Sequence, residues 1–141
     1  MTRTRLTLSL LAAFAVAAPT LALADIVTFH ATMDGAHEVP ANTTAGKGDA
    51  TVTLDTSTKS ISYKVNYTGL TGAATMGHIH GPAAVGANAA VVVPFANPAN
   101  PIAGTATLTD AQIADLLAGK YYVNVHTAAN KGGEIRGQLT K

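Results

Sequence analysis

The sequence predicts an all-β domain, an antiparallel sandwich or barrel of about seven or eight short strands with one short helix. Three observations predict it. Beyond residue 24 the chain is rich in Val, Thr, Ala and Gly, residue types that suit pleated strands and the turns between them. Strand-like runs recur, separated by Gly, Pro, Asn and Asp punctuation. Period-two alternation is plainest at Ser60–Tyr67, where Ile61, Tyr63, Val65 and Tyr67 point one way and Ser60, Ser62, Lys64 and Asn66 the other. Such a strand has one face on a core and one towards water.

The elements follow in chain order. Ile26–Met33 reads as a first strand, ended by the turn signal Asp34-Gly35, and Pro40 biases Val39 away from helix. Gly48–Leu54 is a second strand with Ala50, Val52 and Leu54 in phase, and Ser60–Tyr67 is a third. A glycine-containing loop leads into a strand carrying His78 and His80, and Ala89–Phe95 and Ile102–Leu108 follow as further short strands. Thr109 with Gln112 three residues on has the form of a capping box, Asp110 lies in the first turn and Gly119 is a stop signal. A helix is therefore expected near residues 110–118, with Ile113, Leu116 and Leu117 as its apolar stripe, plugging one end of the sandwich. Tyr121–Thr127 and Gly133–Thr140 close the series, joined by five glycine-containing residues in the manner of a hairpin.

Residues 1–24 read as a signal peptide. Arg3 and Arg5 precede the apolar run Leu6–Ala18, and Ala22-Leu23-Ala24 is a small-x-small cleavage signal. The run is short of the roughly 20 apolar residues that a membrane span needs, and no second candidate span follows. The expected mature protein is residues 25–141, a single exported domain, periplasmic or secreted. Of the nine Lys+Arg and eight Asp+Glu, setting aside Arg3 and Arg5 leaves seven against eight, a net charge of −1. Those charges are scattered, so nothing points to a nucleic-acid partner. The chain has no cysteine, which excludes thiolate metal sites, thiol nucleophiles and disulfide staples.

The chemistry centres on histidine. In Gly77-His78-Ile79-His80-Gly81-Pro82 the two imidazoles fall on one strand face, about 6.5–7 Å apart along the backbone. In Tyr121–Thr127, the residues Tyr122, Asn124 and His126 share a face opposite Val123 and Val125. His78, His80 and His126 can converge on one ion if these strands are neighbours. Three imidazoles without thiolate suit copper(II) or zinc. Met76 shares the His78 face and would add a thioether, while His30 and His37 are further candidate ligands from the first strand and the loop after it. The bland alternative is that the histidines hydrogen-bond to backbone or carboxylate and merely shape the loops. Glu134, Arg136 and Gln138 alternate along the last strand. Glu134 can orient a ligating imidazole from behind, or pair with Arg136, or leave Arg136 free to tie down a loop carbonyl. No serine elbow and no phosphate-cradling glycine loop is present.

These pieces occur in an order that resembles the CHRD domain family, known from chordin and from bacterial secreted proteins. The resemblance rests on Phe29-His30-Ala31, Gly35-Ala36-His37-Glu38-Val39-Pro40, Tyr67-Thr68-Gly69-Leu70, His78-Ile79-His80-Gly81-Pro82-Ala83, Gln112-Ile113 to Gly119, Tyr122–Thr127 and Gly132–Leu139. It implies an immunoglobulin-like or Cu/Zn-superoxide-dismutase-like β-sandwich, and it groups His78, His80 and His126 with Glu134 and Arg136. It does not extend to His30 and His37, and Ala41 stands where a proline is often found. His-x-His on such a sandwich is also similar to the dismutase copper site, although that fold's disulfide cysteines are missing and no bridging-histidine zinc loop is evident. The expectation is a non-catalytic domain binding copper ahead of zinc. The rivals are an extracellular adhesion module with a protein partner, and a copper-dependent, dismutase-like redox enzyme.

Overall fold

Period-two alternation becomes eight antiparallel strands in the structure, a computed structural model that describes residues 25–141. The expected signal peptide at residues 1–24 lies outside the described residues. The strands are β1 (Ile26–Asp34), β2 (Lys47–Asp55), β3 (Ser60–Thr68), β4 (Ala74–His80), β5 (Val91–Pro94), β6 (Ile102–Thr107), β7 (Tyr122–Thr127) and β8 (Ile135–Gln138). One helix, α1 (Asp110–Leu117), connects β6 to β7. Among the described residues no helix is long and apolar enough to cross a membrane.

All eight strands belong to one hydrogen-bonded sheet in the order β5-β4-β7-β8-β1-β2-β3-β6. The sheet bends where β8 meets β1, a join consisting of the Asp34–Arg136 pair and an isolated His30–Thr140 bridge. Its two halves thereby enclose one core, and the result is a nearly closed, sandwich-like body. Tyr63 of β3 stacks on Phe95, just after β5, with ring centroids 4.7 Å apart. That contact links the two ends of the sheet across the core.

The core follows from the alternation. Phe29, Ala31 and Met33 of β1, Ala50, Val52 and Leu54 of β2, and Ile61, Tyr63 and Val65 of β3 are all buried. Ile79, Val93, Ile102, Val123, Val125 and Ile135 complete the inward faces. Burying one such side chain stabilises the fold by about 1.5–3 kcal/mol. Tyr67, the last of the β3 series, is only partly buried, and its hydroxyl donates to the Pro98 carbonyl at 2.8 Å.

Helix α1 starts where its cap dictates. The Thr109 hydroxyl accepts from the Gln112 N–H and the Gln112 side chain accepts from the Thr109 N–H, satisfying two donors that would otherwise be orphaned. Leu116 is buried in the core and Ile113 packs against it. Leu117 does not join that stripe: it is exposed. The Asp34-Gly35 turn is a short 3₁₀ turn over Gly35–His37, in which Asp34 accepts from the His37 N–H.

Strand β7 departs from the half-wet pattern. Every residue from Tyr122 to Thr127 is buried. Val123 and Val125 face the core, while the polar face of Tyr122, Asn124 and His126 is roofed by chain from elsewhere. That roof makes the site.

Candidate metal centre

β4 and β7 are antiparallel neighbours, with Met76 opposite His126, His78 opposite Asn124 and His80 opposite Tyr122. Strand alternation puts all six side chains on one face. Glycines bracket the histidine strand for a steric reason. A Cβ on Gly77 would collide with the Phe95 ring, and one on Gly81 with the Tyr121 ring.

On this face His78, His80 and His126 converge, each offering a ring nitrogen within 4.8 Å of the other two. His78 Nδ1 lies 3.1 Å from His126 Nε2. The backbone holds two of the rings from behind. His80 Nδ1 is 3.0 Å from the Ala89 carbonyl and His126 Nδ1 is 2.9 Å from the Lys131 carbonyl. A carbonyl only accepts, so each of these rings carries its proton on Nδ1 and turns Nε2 towards the cluster. This is how metal-binding imidazoles are commonly oriented. Asn124 lies between them, its side-chain amide oxygen 3.0 Å from both His80 Nε2 and His126 Nε2.

Electrostatics disfavours protonation of two of the rings. Burial lowers the basicity of His78, helped by His126 and His80 and opposed by Asn124. Burial also lowers that of His126, with the bond to the Lys131 carbonyl opposing and His80 reinforcing. Neutral imidazole is the form that binds metal.

The roof is the segment 81–90, fastened by Arg136. Arg136 is almost fully buried, and its guanidinium donates to the Ala87 carbonyl at 2.6 Å and to Asn88 Oδ1 at 3.0 Å. Its Cζ sits 3.4 Å from the centre of the Tyr122 ring. Tyr122 in turn stacks on His80 at 4.8 Å with only 3° between the planes. The Tyr122 hydroxyl accepts from the Ala89 N–H at 3.1 Å. Arg136, Tyr122 and His80 thus form one stack that fixes the ring plane of His80.

Glu134 is engaged elsewhere. It lies in a bend just before β8, and its fully buried carboxylate accepts from the Thr44, Thr71 and Thr127 hydroxyls and from the Thr71 N–H, all at 2.5–2.7 Å. Burial works to raise its pKa, but the bonds from Thr127, Thr44 and Thr71 outweigh it and hold the carboxyl down at about 2. The acidic residue beside the histidine face is Glu38. Burial pushes it up to about 7, against the Arg136 charge, the Val39 N–H and the Asn124 amide, and its Oε1 has no hydrogen-bond partner among the described residues.

The remaining histidines stand apart. His30 lies on the outer face of β1, 3.3 Å from the Thr51 hydroxyl, and exposed His37 pairs with Asp34 at 2.7 Å. Met76 is about half exposed at the rim of the site, across from His126. Two participants went unremarked in the sequence, Asn124 as a contact of the imidazoles and Glu38 as the neighbouring carboxyl. Asn124 was visible on the His126 face, but nothing in the spacing marks an amide as more than a polar face residue. Three imidazole nitrogens, brought together from two strands, can hold a transition-metal ion.

No curated protein and no solved structure matches the chain significantly. One family does, the CHRD domain, over residues 29–139. That span takes in most of β1, all of β2 to β8, the helix and the whole histidine cluster, and the chain belongs to the CHRD domain family.

Proposed function

We propose that this chain is an exported domain, periplasmic or secreted, that binds a transition-metal ion, copper ahead of zinc, through His78, His80 and His126 without catalysing a reaction on it. The observation that carries this reading is the convergence of three ring nitrogens within 4.8 Å, two of them aimed by backbone carbonyls behind the rings. Imidazole-only donors in a chain lacking cysteine suit copper(II) and zinc, and Met76 at the rim offers a soft donor to copper. Burial lowers the basicity of His78 and His126, which extends loading to more acidic pH than free histidine, whose pKa is about 6.5, would allow.

Titration of the purified protein with copper(II), copper(I) and zinc(II), followed by calorimetry, tests it. The expected result is one equivalent bound, with copper tighter than zinc as the Irving–Williams order requires for nitrogen ligands. The double variant His78→Ala with His80→Ala is expected to lose that binding. Equal affinity in the double variant overturns the site.

A further inference from the structure

We propose that Asn124 is the fourth ligand of this site, binding through its side-chain carbonyl oxygen, so that a divalent cation is held by three imidazole nitrogens and one amide oxygen. The proposal rests on the metal-binding reading above and adds a residue and a donor type to it.

The distances come first. Asn124 Oδ1 is 3.0 Å from His80 Nε2 and 3.0 Å from His126 Nε2, and His126 Nε2 is 3.1 Å from His78 Nδ1. Four donors placed tetrahedrally at about 2.0–2.1 Å from an ion lie about 3.3 Å from one another. Three of the six spacings approach that figure, on atoms drawn from two strands, and the widest among the imidazole nitrogens, up to 4.8 Å, closes as an ion is taken up.

The protons make the same point. His80 and His126 spend their ring N–H bonds on the carbonyls of Ala89 and Lys131, so both Nε2 atoms present lone pairs. The amide oxygen between them also has only lone pairs. His78 Nδ1, 3.1 Å from His126 Nε2, can donate to that lone pair, but His80 Nε2 and the amide oxygen, 3.0 Å apart, still meet lone pair to lone pair unless a cation lies between them. The other way to satisfy the lone pairs is to turn the amide over, which swaps two atoms of nearly equal size. Its N–H bonds then point at the two Nε2 atoms. That rotation would take the amide N–H away from Glu38, whereas oxygen facing the cluster keeps that bond and offers a cation its lone pairs.

Two consequences follow for the ligand class. An oxygen donor hardens the set, favouring copper(II) and zinc(II) over copper(I). Four protein donors also close the coordination sphere, as in structural rather than catalytic sites. His78 binds through Nδ1 and carries its proton on the outward Nε2.

Calorimetric titration with zinc(II) and with copper(II) is run on the wild-type protein, Asn124→Leu and Asn124→Asp, with the melting point of each metal-free protein as a control of folding. Asn124→Leu keeps the volume without a donor and is expected to bind at least about tenfold more weakly. Asn124→Asp keeps an oxygen in place and is expected to bind at least as tightly as wild type. X-ray absorption of the zinc-loaded wild type should show four nitrogen or oxygen donors, three of them imidazole. A readout free of substitution is the Asn124 side-chain ¹⁵N–¹H pair, which should shift when zinc is added. An Asn124→Leu protein as tight as wild type, or an amide unmoved by zinc, overturns the fourth ligand and leaves the three-histidine site standing. A wild type that takes up neither ion overturns both.

Discussion

Glu134 and Asn124 are buried polar groups served by the same strand, β7, and their surroundings answer them differently. Around Glu134 every partner is a donor: three threonine hydroxyls and one backbone N–H meet the carboxylate. Around Asn124 Oδ1 the nearest ring nitrogens carry lone pairs. The first cluster is complete in itself and ties the segments carrying Thr44 and Thr71 to the end of β7. In the second, His80 Nε2 and the amide oxygen face each other at 3.0 Å with no donor between them, a mismatch that a cation would resolve. A buried polar group is costly when unpaired and useful when its pairing awaits a ligand. The comparison teaches where to look for function: among buried donors and acceptors that the chain leaves mismatched.

The contrast can be broken from either side. Glu134→Ala should cause the largest change, a loss of about 3 kcal/mol or more, because it strands buried donors that met a charge. Urea denaturation reads this loss, and copper affinity should stay at the wild-type value. His78→Ala with His80→Ala should do the reverse. Copper affinity is expected to fall by at least about 100-fold, beyond the usual effect of removing one supporting group, while metal-free stability falls by less than in Glu134→Ala, through the lost His80 bond to Ala89 and the lost stack on Tyr122.

The pH dependence sharpens the comparison further. Glu134, held at about 2 in the fold, binds its proton less readily than in the unfolded chain. Its contribution is present above about 4.5 and is lost as pH falls towards 2. Glu38, raised to about 7, holds its proton more readily than when unfolded. Its effect has the opposite sign: no cost below about 4.5, then stability lost as pH rises to 7, on the order of 2 kcal/mol once screening at the cleft is allowed for. Denaturation midpoints between pH 4 and 8 should therefore rise for Glu38→Gln relative to wild type at the alkaline end, and converge with wild type near pH 4.

The smallest expected effect belongs to the stack behind His80. Tyr122→Phe removes one hydrogen bond to Ala89 and should cost about 1 kcal/mol, while keeping the ring on His80. A full loss of metal binding in this variant would mean that the hydroxyl, not the stacking face, positions the imidazole.

Much of this fold is legible from the residues because half-buried strands write their two faces in alternation. β3 is the clearest case, and the Thr109–Gln112 box marked the helix start to the residue. The histidine face was legible for the same reason: residues i and i+2 share a side whatever the rest of the chain does. Glu134 was not. Sequence alternation placed it beside Arg136 and behind a ligand, but it sits in a bend where alternation no longer sets the side, and threonines from distant loops capture it. Nor did period two reveal that both faces of β7 are buried, since the roof is supplied by the segment 81–90 and fastened by Arg136. Continuity of the two half-sheets through one narrow β1–β8 join is likewise a tertiary fact.

The most direct test is a long-range ¹H–¹⁵N spectrum of the histidine rings, recorded before and after one equivalent of zinc(II). Large shifts are expected at His80 Nε2, His126 Nε2 and His78 Nδ1, with the rings of His30 and His37 unmoved. Unchanged ring nitrogens at His78, His80 and His126, or shifts confined to His30 and His37, would contradict the metal site.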